Sequence, residues 1–516
     1  MNFNSLNPFA IMENIAVWQQ QSATAWLETC KEFVSYWQNV SESWSGFTWK
    51  KTWTGKESLQ RGIDVSLQHN YTNKNNKKKM RALVLQGGGA LGAFEAGAFK
   101  ALYEKITRED KENGGEGRPL FDIIAGTSSG AINAAVLVSH VIENKTWNGS
   151  EKKLVEFWKY LSCPTPDITQ MSANWKKEHD KNNPDAASVE AARRYYSVKE
   201  FLKSGVDKAY SPLPPREDGK FFDQDNKKIL YNKQPLQRSI EKFVKFPLAT
   251  NYEKGEPRLL VVSTDAAEGI PVTFDSYGKD VDEGIKIQHV MASASKPEFY
   301  DYEEISGRKF WDGGMLSNTP IRELVQAHKD FWEYKIGSKK LENSILEEAT
   351  LSVPDLELYI LNLWHSNDNI APSDPDGMTD RLRDIIVHDQ YYVKESILIT
   401  HYIHLIEKLI QLGISKNNND NNNNNNNELK KEINKILQSY TASIDTTEEI
   451  PKKYLDIIKA QFEITKIESI ERRDNDDTIS AKDGDFTSET IDKLIKDGYE
   501  STWRKYPQSI LQQQQQ

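Results

Sequence analysis

The chain has 516 residues, 38% hydrophobic and 28% charged, with a formal net charge of −10. This apolar content suffices for a folded core and excludes a wholly disordered chain. The acidic balance argues against general nucleic-acid binding, and two cysteines exclude a disulfide framework and a thiolate zinc cluster. The sequence shows no signal peptide and no run of apolar residues long enough to span a bilayer, so we expect a cytoplasmic protein, soluble or peripheral on membranes or lipid droplets.

Residues 1–60 contain six of the 13 tryptophans. Apolar residues recur at spacings of three and four over 9–44, which predicts a long amphipathic helix. Two roles fit this helix: packing on the rest of the protein, or contact with a membrane or lipid droplet through its indoles. Its opposite face is not rich in Lys or Arg, which favours packing. Residues 61–79 are polar and basic and are expected to form a linker.

From residue 80 onward, short apolar runs alternate with helical patterns. Four runs are predicted to be strands buried on both faces: 81–86, 121–126, 258–264 and 356–363. Helical patterns follow the first two runs, over 93–103 and 129–140. This alternation predicts βαβ units and an α/β fold with a mainly parallel sheet.

The first predicted strand is followed by the glycine-rich loop 87–92, with the sequence GGGALG. The loop satisfies the G-x-G-x-x-G pattern of dinucleotide sites, but the next 20 or so residues hold no second strand ending in an acid, which disfavours a nucleotide. The amides of Gly87, Gly88 and Gly89 are sterically open and lie before a helix, where they suit an oxyanion hole. Gly92 completes the motif.

The second predicted strand is followed by a G-x-S-x-G motif, Gly126 to Gly130, with Ser128 at its centre. Glycines on both sides allow the sharp strand-to-helix turn that exposes a nucleophilic hydroxyl. Ser128 is therefore the candidate nucleophile.

A nucleophilic serine needs a base, and the sequence offers two kinds. Asp312 precedes Gly313 and Gly314, a turn that can bring a carboxylate into a tight site, although a simple Asx turn also fits. His365 and His388 are the plausible downstream histidines, but neither lies in a glycine-supported turn.

In this order, the glycine loop, the G-x-S-x-G motif and the D-G-G motif resemble those of the patatin-like phospholipases. The amino-acid sequences of 84–93, 311–314 and 318–320 are most similar to those of a bacterial-type branch of the family, which has a C-terminal extension. That branch tends to show the His-Val-x-Ala-Ser stretch found at 289–293, and 482–486 resembles its extension.

The resemblance implies a Ser–Asp dyad of Ser128 and general base Asp312, with no metal or other cofactor. It gives Gly87, Gly88 and Gly89 as oxyanion donors. Five further glycines would support these motifs: Gly92, Gly126, Gly130, Gly313 and Gly314.

The implied fold is a three-layer α/β/α sandwich. We expect a catalytic domain over 80–335, in which the polar, irregular segment 165–240 forms a cap. A C-terminal extension over 336–503 should add strands and helices. Disorder is expected for the Asn-rich tract 417–427 and the Gln-rich tail 504–516.

The implied activity is that of a serine lipid acyl hydrolase, whose partner is an acyl-ester lipid and not a nucleic acid. Many members of the family carry Arg or Lys in the glycine loop where this chain has Leu91, so the choice between phospholipids and neutral esters stays open. Two alternatives remain: a non-catalytic lipid-binding or scaffold protein, and a His-dependent esterase.

Overall fold

The computed structural model describes twelve segments of the chain. They are 78–115, 117–166, 186–213, 230–278, 283–297, 299–347, 353–364, 371–372, 374–419, 431–440, 453–473 and 479–506. The predicted helix over 9–44, with its tryptophans, and the linker up to residue 77 lie outside these segments. Within them, no helix is both long enough and apolar enough to cross a membrane.

The centre of the fold is an eight-stranded sheet. Its strands are β1 Lys79–Leu85, β2 Ile123–Thr127, β5 Arg258–Asp265, β6 Pro271–Asp275, β7 Glu303–Ile305, β8 Arg308–Asp312, β9 Asp355–Asn362 and β10 Ile464–Glu471. They lie in the order β10-β9-β1-β2-β5-β8-β7, with β6 paired to β5. Every pair from β10 to β5 is parallel, whereas β6, β7 and β8 are added in antiparallel pairs. Strands β3 Ser211–Pro212 and β4 Tyr231–Asn232 form a separate short ladder.

Twelve helices have bounds within the described segments. They are α1 Gly92–Glu112, α2 Ser129–Asn144, α3 Ser150–Leu161, α4 Ala186–Ser204, α5 Gln234–Phe243, α6 Ile287–Ser293, α7 Ile321–Ile336, α8 Ser338–Glu347, α9 Pro375–Val387, α10 Gln390–Asn419, α11 Tyr454–Ile458 and α12 Ser488–Lys505.

The sheet is buried on both faces, as the alternation of side chains along β1 demonstrates. Leu83 and Leu85 pack in one core with residues of α1, α2, α3 and α12. Ala82 and Val84, which point to the opposite face, pack in a second core with residues of α7 and α8. Helices therefore cover both faces, and the predicted α/β/α sandwich is confirmed.

The residues after 336 belong to the same sheet as those before it. Strand β9 pairs with β1 on the side opposite β2, and β10 pairs with β9. Helix α12 packs closely on α1, since a Cβ on Gly97 would lie 1.8 Å from the carbonyl oxygen of Ile495, and a Cβ on Gly498 would lie 2.0 Å from that of Phe94. The backbones approach so closely that neither glycine can carry a side chain without a shift.

All four predicted strands are present, with ends within about two residues of the expected positions. Several other boundaries differ. Helix α10 continues to Asn419, three residues into the Asn tract, and α12 continues to Lys505 because Thr502 and Trp503 are buried. The remainder of the tract and residues 507–516 lie outside the described segments. The segment 165–240 is not irregular where it is described, since α4 and most of α5 lie within it.

Candidate active site

The three predicted motifs meet at one edge of the sheet. The glycine loop follows β1 and the G-x-S-x-G motif follows β2, and parallel strands end at the same edge. Asp312 ends β8 and pairs with Ser263, near the end of β5, which is the next parallel strand. The sheet therefore brings together residues 184 positions apart in the chain, Ser128 and Asp312.

Ser128 occupies a strained turn between β2 and α2. Its φ of 53° and ψ of −122° lie in a region that residues with a side chain rarely adopt. A Cβ on Gly126 would lie 2.3 Å from the carbonyl oxygen of Gly130, and a Cβ on Gly130 would lie 2.3 Å from that of Leu85. The turn needs both glycines, and it places the Ser128 side chain directly before the first residue of a helix.

Ser128 donates a hydrogen bond from Oγ to Asp312 Oδ2 over 2.7 Å. The other carboxylate oxygen of Asp312 accepts from the amide of Gly314 over 2.7 Å. Burial raises the pKa of the Asp312 carboxyl to about 6, and the hydrogen bonds from Gly314 and Ser128 counteract only part of that rise. A carboxylate with a pKa near neutrality and in contact with a hydroxyl can accept its proton.

The amide of Ser128 is held by Ser293, the last residue of α6. It donates to Ser293 Oγ over 2.9 Å, and that hydroxyl in turn donates to the carbonyl of Val262 in β5 over 2.5 Å. Ser293 is the last residue of the His-Val-x-Ala-Ser stretch, to which the sequence analysis assigned no function. It fixes the backbone of the candidate nucleophile to the central sheet.

The glycine loop uses two of its three amides to hold itself in place. Gly87 donates to Asn318 Oδ1 over 3.1 Å, and Gly88 donates to Ser129 Oγ over 2.9 Å. The amides of Gly87 and Gly88 therefore have acceptors within the protein, and the oxyanion role of all three glycines stays a prediction. Gly89 lines the pocket beside Ser128 and has a φ of 53°, and no described residue accepts a hydrogen bond from its amide.

Asn318 connects the glycine loop to the loop that follows Asp312. Its Nδ2 donates to the carbonyl of Gly87 over 3.1 Å and to that of Val387 over 2.9 Å. Trp364 Nε1 donates to the same Gly87 carbonyl over 2.6 Å. Nothing in the sequence pointed to Trp364 at this site, and Asn318 was noted only because 318–320 resembles the bacterial-type branch.

Of the remaining predicted glycines, Gly92 and Gly313 allow close packing and Gly314 donates a hydrogen bond. A Cβ on Gly92 would lie 2.6 Å from the ring of Trp158, and a Cβ on Gly313 would lie 2.3 Å from the carbonyl oxygen of Val262. Gly314 supplies the amide that binds Asp312.

Ser128 and Asp312 lie in the wall of a pocket. Its lining is mainly apolar and includes Ile132, Phe157, Leu161, Leu236, Phe299 and Phe486. The expected cap segment contributes Leu202, Tyr210 and Tyr231 to the walls. Pockets with mainly apolar walls and a few polar groups of this kind bind small apolar ligands.

No histidine of the described segments lines this pocket. His388 instead contacts the carbonyl of Ile385 through Nδ1 over 2.7 Å, and burial lowers its pKa. His365 lies outside the described segments. The described residues also contain no cluster of three or more side chains suited to holding a metal ion.

Comparison with known proteins gives a family-model match over part of the chain. Residues 83–325 match the family model described as patatin-like phospholipase. No curated protein matches the chain. Among solved structures, the chain is similar to the crystal structure of VipD from Legionella pneumophila, with 13% identity and a TM-score of 0.28. That match covers 82% of this chain and 66% of VipD, slightly less than two thirds of its length.

Proposed function

We propose that the chain is a serine lipid acyl hydrolase that works through Ser128 and Asp312. The match of residues 83–325 to the patatin-like phospholipase family model supports this proposal. The family hydrolyses lipid esters. The observation that carries the proposal is the 2.7 Å hydrogen bond from Ser128 Oγ to Asp312 Oδ2 inside an apolar pocket.

In the first half-reaction, Ser128 Oγ attacks the ester carbonyl while Asp312 takes the hydroxyl proton. The negative oxygen of the tetrahedral intermediate lies at the Gly89 amide and at the N-terminus of α2, where amides without helical partners favour negative charge. Asp312 then returns the proton to the departing alcohol, which leaves an acyl-enzyme on Ser128.

In the second half-reaction, water attacks the acyl-enzyme as Asp312 accepts its proton. Asp312 then returns that proton to Ser128 Oγ as the bond between Oγ and the acyl carbon breaks, and the fatty acid is released. The apolar walls of the pocket, among them Phe157 and Leu236, hold the acyl chain. Contact between residues 1–60 and a lipid surface remains a prediction from the sequence.

The test is covalent labelling with a fluorophosphonate together with a Ser128→Ala variant. We expect the label on the peptide that contains Ser128, and a loss of at least ~10³-fold in hydrolysis of a p-nitrophenyl acyl ester when the hydroxyl is removed. Ser204→Ala, at the exposed end of α4, is the matched control and should behave like wild type. A folded Ser128→Ala protein with undiminished activity would show that the nucleophile lies elsewhere.

The same assay separates the dyad from a His-dependent esterase. Asp312→Asn keeps the shape of the side chain and removes the proton acceptor, so activity should collapse. His388→Ala should stay within a few-fold of wild type. Activity that collapses in His388→Ala and survives in Asp312→Asn would identify a His-dependent esterase.

A further inference from the structure

Two charged residues of the active-site pocket lie outside the part of the chain that matches the family model. Arg383 is in α9, and Asp483 is in the 3-10 turn Lys482–Gly484. Both line the pocket that contains Ser128 and Asp312. Arg383 Nη1 donates to Asp483 Oδ1 over 2.7 Å, and about a quarter of each side chain is exposed, at 24% and 21%.

A buried ion cluster holds this turn against α9. The side chain of Lys482 is fully buried, and its Nζ lies 3.1 Å from Asp380 Oδ2 and 2.8 Å from Asp384 Oδ1. Both acids belong to the helix that carries Arg383. Because a buried cation cannot leave its partners without a large penalty, the turn and the helix form one fixed unit.

On its other side, the same turn is tied to α4. Asp485 is fully buried, and its Oδ2 lies 3.3 Å from Arg194 Nε. Thr487 donates to Asp485 Oδ1 from its amide over 3.1 Å and from Oγ1 over 2.8 Å. The position of Asp483, between Lys482 and Asp485, is therefore set from both sides.

The turn lies directly against the glycine loop. A Cβ on Gly89 would lie 2.4 Å from the carbonyl oxygen of Asp483, so the two backbones are in contact. Burial raises the pKa of the Asp483 carboxyl, but Arg383 and Lys296 outweigh burial and hold that pKa below its ordinary value. Asp483 is thus an anion at neutral pH and holds Arg383 in the wall of the pocket that contains Ser128.

The pocket is otherwise poor in charge. Its acidic and basic side chains are two cations, Lys296 and Arg383, and two acids, Asp312 and Asp483. A guanidinium has five N–H donors, and the hydrogen bond to Asp483 is the one that Arg383 makes with a described residue. Its remaining donors are available to a planar or tetrahedral anion, the type of ligand that arginine binds best.

We propose that Arg383, oriented by Asp483 and assisted by Lys296, binds the phosphate of a phospholipid whose acyl ester lies at Ser128. The inference rests on the proposed acyl-hydrolase activity. It makes phospholipids preferred over neutral esters, and it assigns that preference to residues of the C-terminal part of the chain.

The test compares two lipids with the same short acyl chains, dioctanoylphosphatidylglycerol and dioctanoylglycerol, both below the concentration at which they aggregate. In wild type we expect the higher kcat/KM on the phospholipid. Arg383→Gln should lower the ratio of the two kcat/KM values by about 10- to 100-fold, mainly through KM for the phospholipid, because one charge-assisted contact to phosphate is lost. Arg383→Lys, which keeps the cation, should restore part of the ratio.

Arg381→Gln is the matched control, since it removes the same charge from α9 at a position that does not line the pocket. Its ratio should equal that of wild type. A purely structural role of Arg383 would lower activity on both lipids alike and leave the ratio unchanged, which would overturn the proposal.

Inorganic phosphate distinguishes a lipid headgroup from a free anion. One outcome would overturn the substrate assignment and assign the site to free phosphate. In that outcome wild type has equal kcat/KM on the two lipids, and phosphate inhibits both reactions only when Arg383 is present. A wild-type protein that hydrolyses neither lipid and no p-nitrophenyl ester would overturn the proposed function as well. Hydrolysis of both lipids with a ratio insensitive to Arg383 would overturn this inference alone.

Discussion

Replacing Asp312 by asparagine is expected to inactivate the protein and, at the same time, to stabilise it. The Asp312 side chain is 8% exposed, and burial raises its pKa from 3.8 to about 6. A carboxyl group whose pKa is higher in the folded than in the unfolded chain destabilises the fold when it is ionised. Asparagine removes this charge and still offers an oxygen to the amide of Gly314.

The size of the effect follows from the pKa shift and depends on pH. The cost of the charge is small below the unfolded pKa, grows as the pH rises from 3.8 to about 6, and is complete above that pH. A shift of about two units corresponds to about 3 kcal/mol at pH 8, about 1.5 kcal/mol at pH 5 and about 0.5 kcal/mol at pH 4. The stabilisation by Asp312→Asn should therefore shrink steadily on acidification.

Urea unfolding of wild type and variant at pH 8 and pH 5 measures this difference. Asp492→Asn is the control, since its side chain is 62% exposed and the same change of atoms should leave the free energy of unfolding within about 0.5 kcal/mol of wild type. An Asp312→Asn protein that is less stable than wild type at pH 8, or a gain that does not decrease at pH 5, would refute the reasoning.

Three other changes have definite expected outcomes. Because Asp312 must be ionised to act as base, kcat/KM on an ester should rise with pH through a single midpoint near 6, and a flat profile from about pH 5 to 7.5 would contradict this role. Ser293→Ala leaves the partly buried amide of Ser128 without its acceptor, so kcat and the rate of fluorophosphonate labelling should fall about tenfold or more; unchanged labelling would mean that the contact does not position the nucleophile. Gly498→Ala places a Cβ 2.0 Å from a carbonyl of α1 and should lower the melting temperature, with a destabilisation of about 1–3 kcal/mol. Lys496→Ala, with 73% of the side chain exposed on the same helix, should have little effect, and equal melting temperatures for the two variants would exclude tight packing of α12 on α1.

The strands and the turn at Ser128 were predictable, because each depends on residues that are close together in the sequence. Strands buried on both faces appear as short apolar runs, so β1, β2, β5 and β9 could be located from their composition alone. The turn at Ser128 was equally accessible, because a strained φ and a close approach to Gly130 both require glycines at set spacings.

The partners of the glycine loop were not predictable. Gly87 and Gly88 appeared equivalent to Gly89 as oxyanion donors. Their acceptors are Asn318, 231 residues away, and Ser129, 41 residues away. No local pattern indicates which of three adjacent amides turns inward to such partners and which one faces the pocket.

The sequence by itself determined the order of the motifs along the chain and which serine and which acid were expected to react. It could do so because backbone conformation and burial restrict residue type and spacing locally. The tertiary structure alone decided which groups surround them. Arg383 and Asp483, 100 residues apart, reach the pocket because a buried lysine joins their two segments. A contact of this kind depends on how distant elements pack, since burial of paired charges is a property of the folded core and not of either segment.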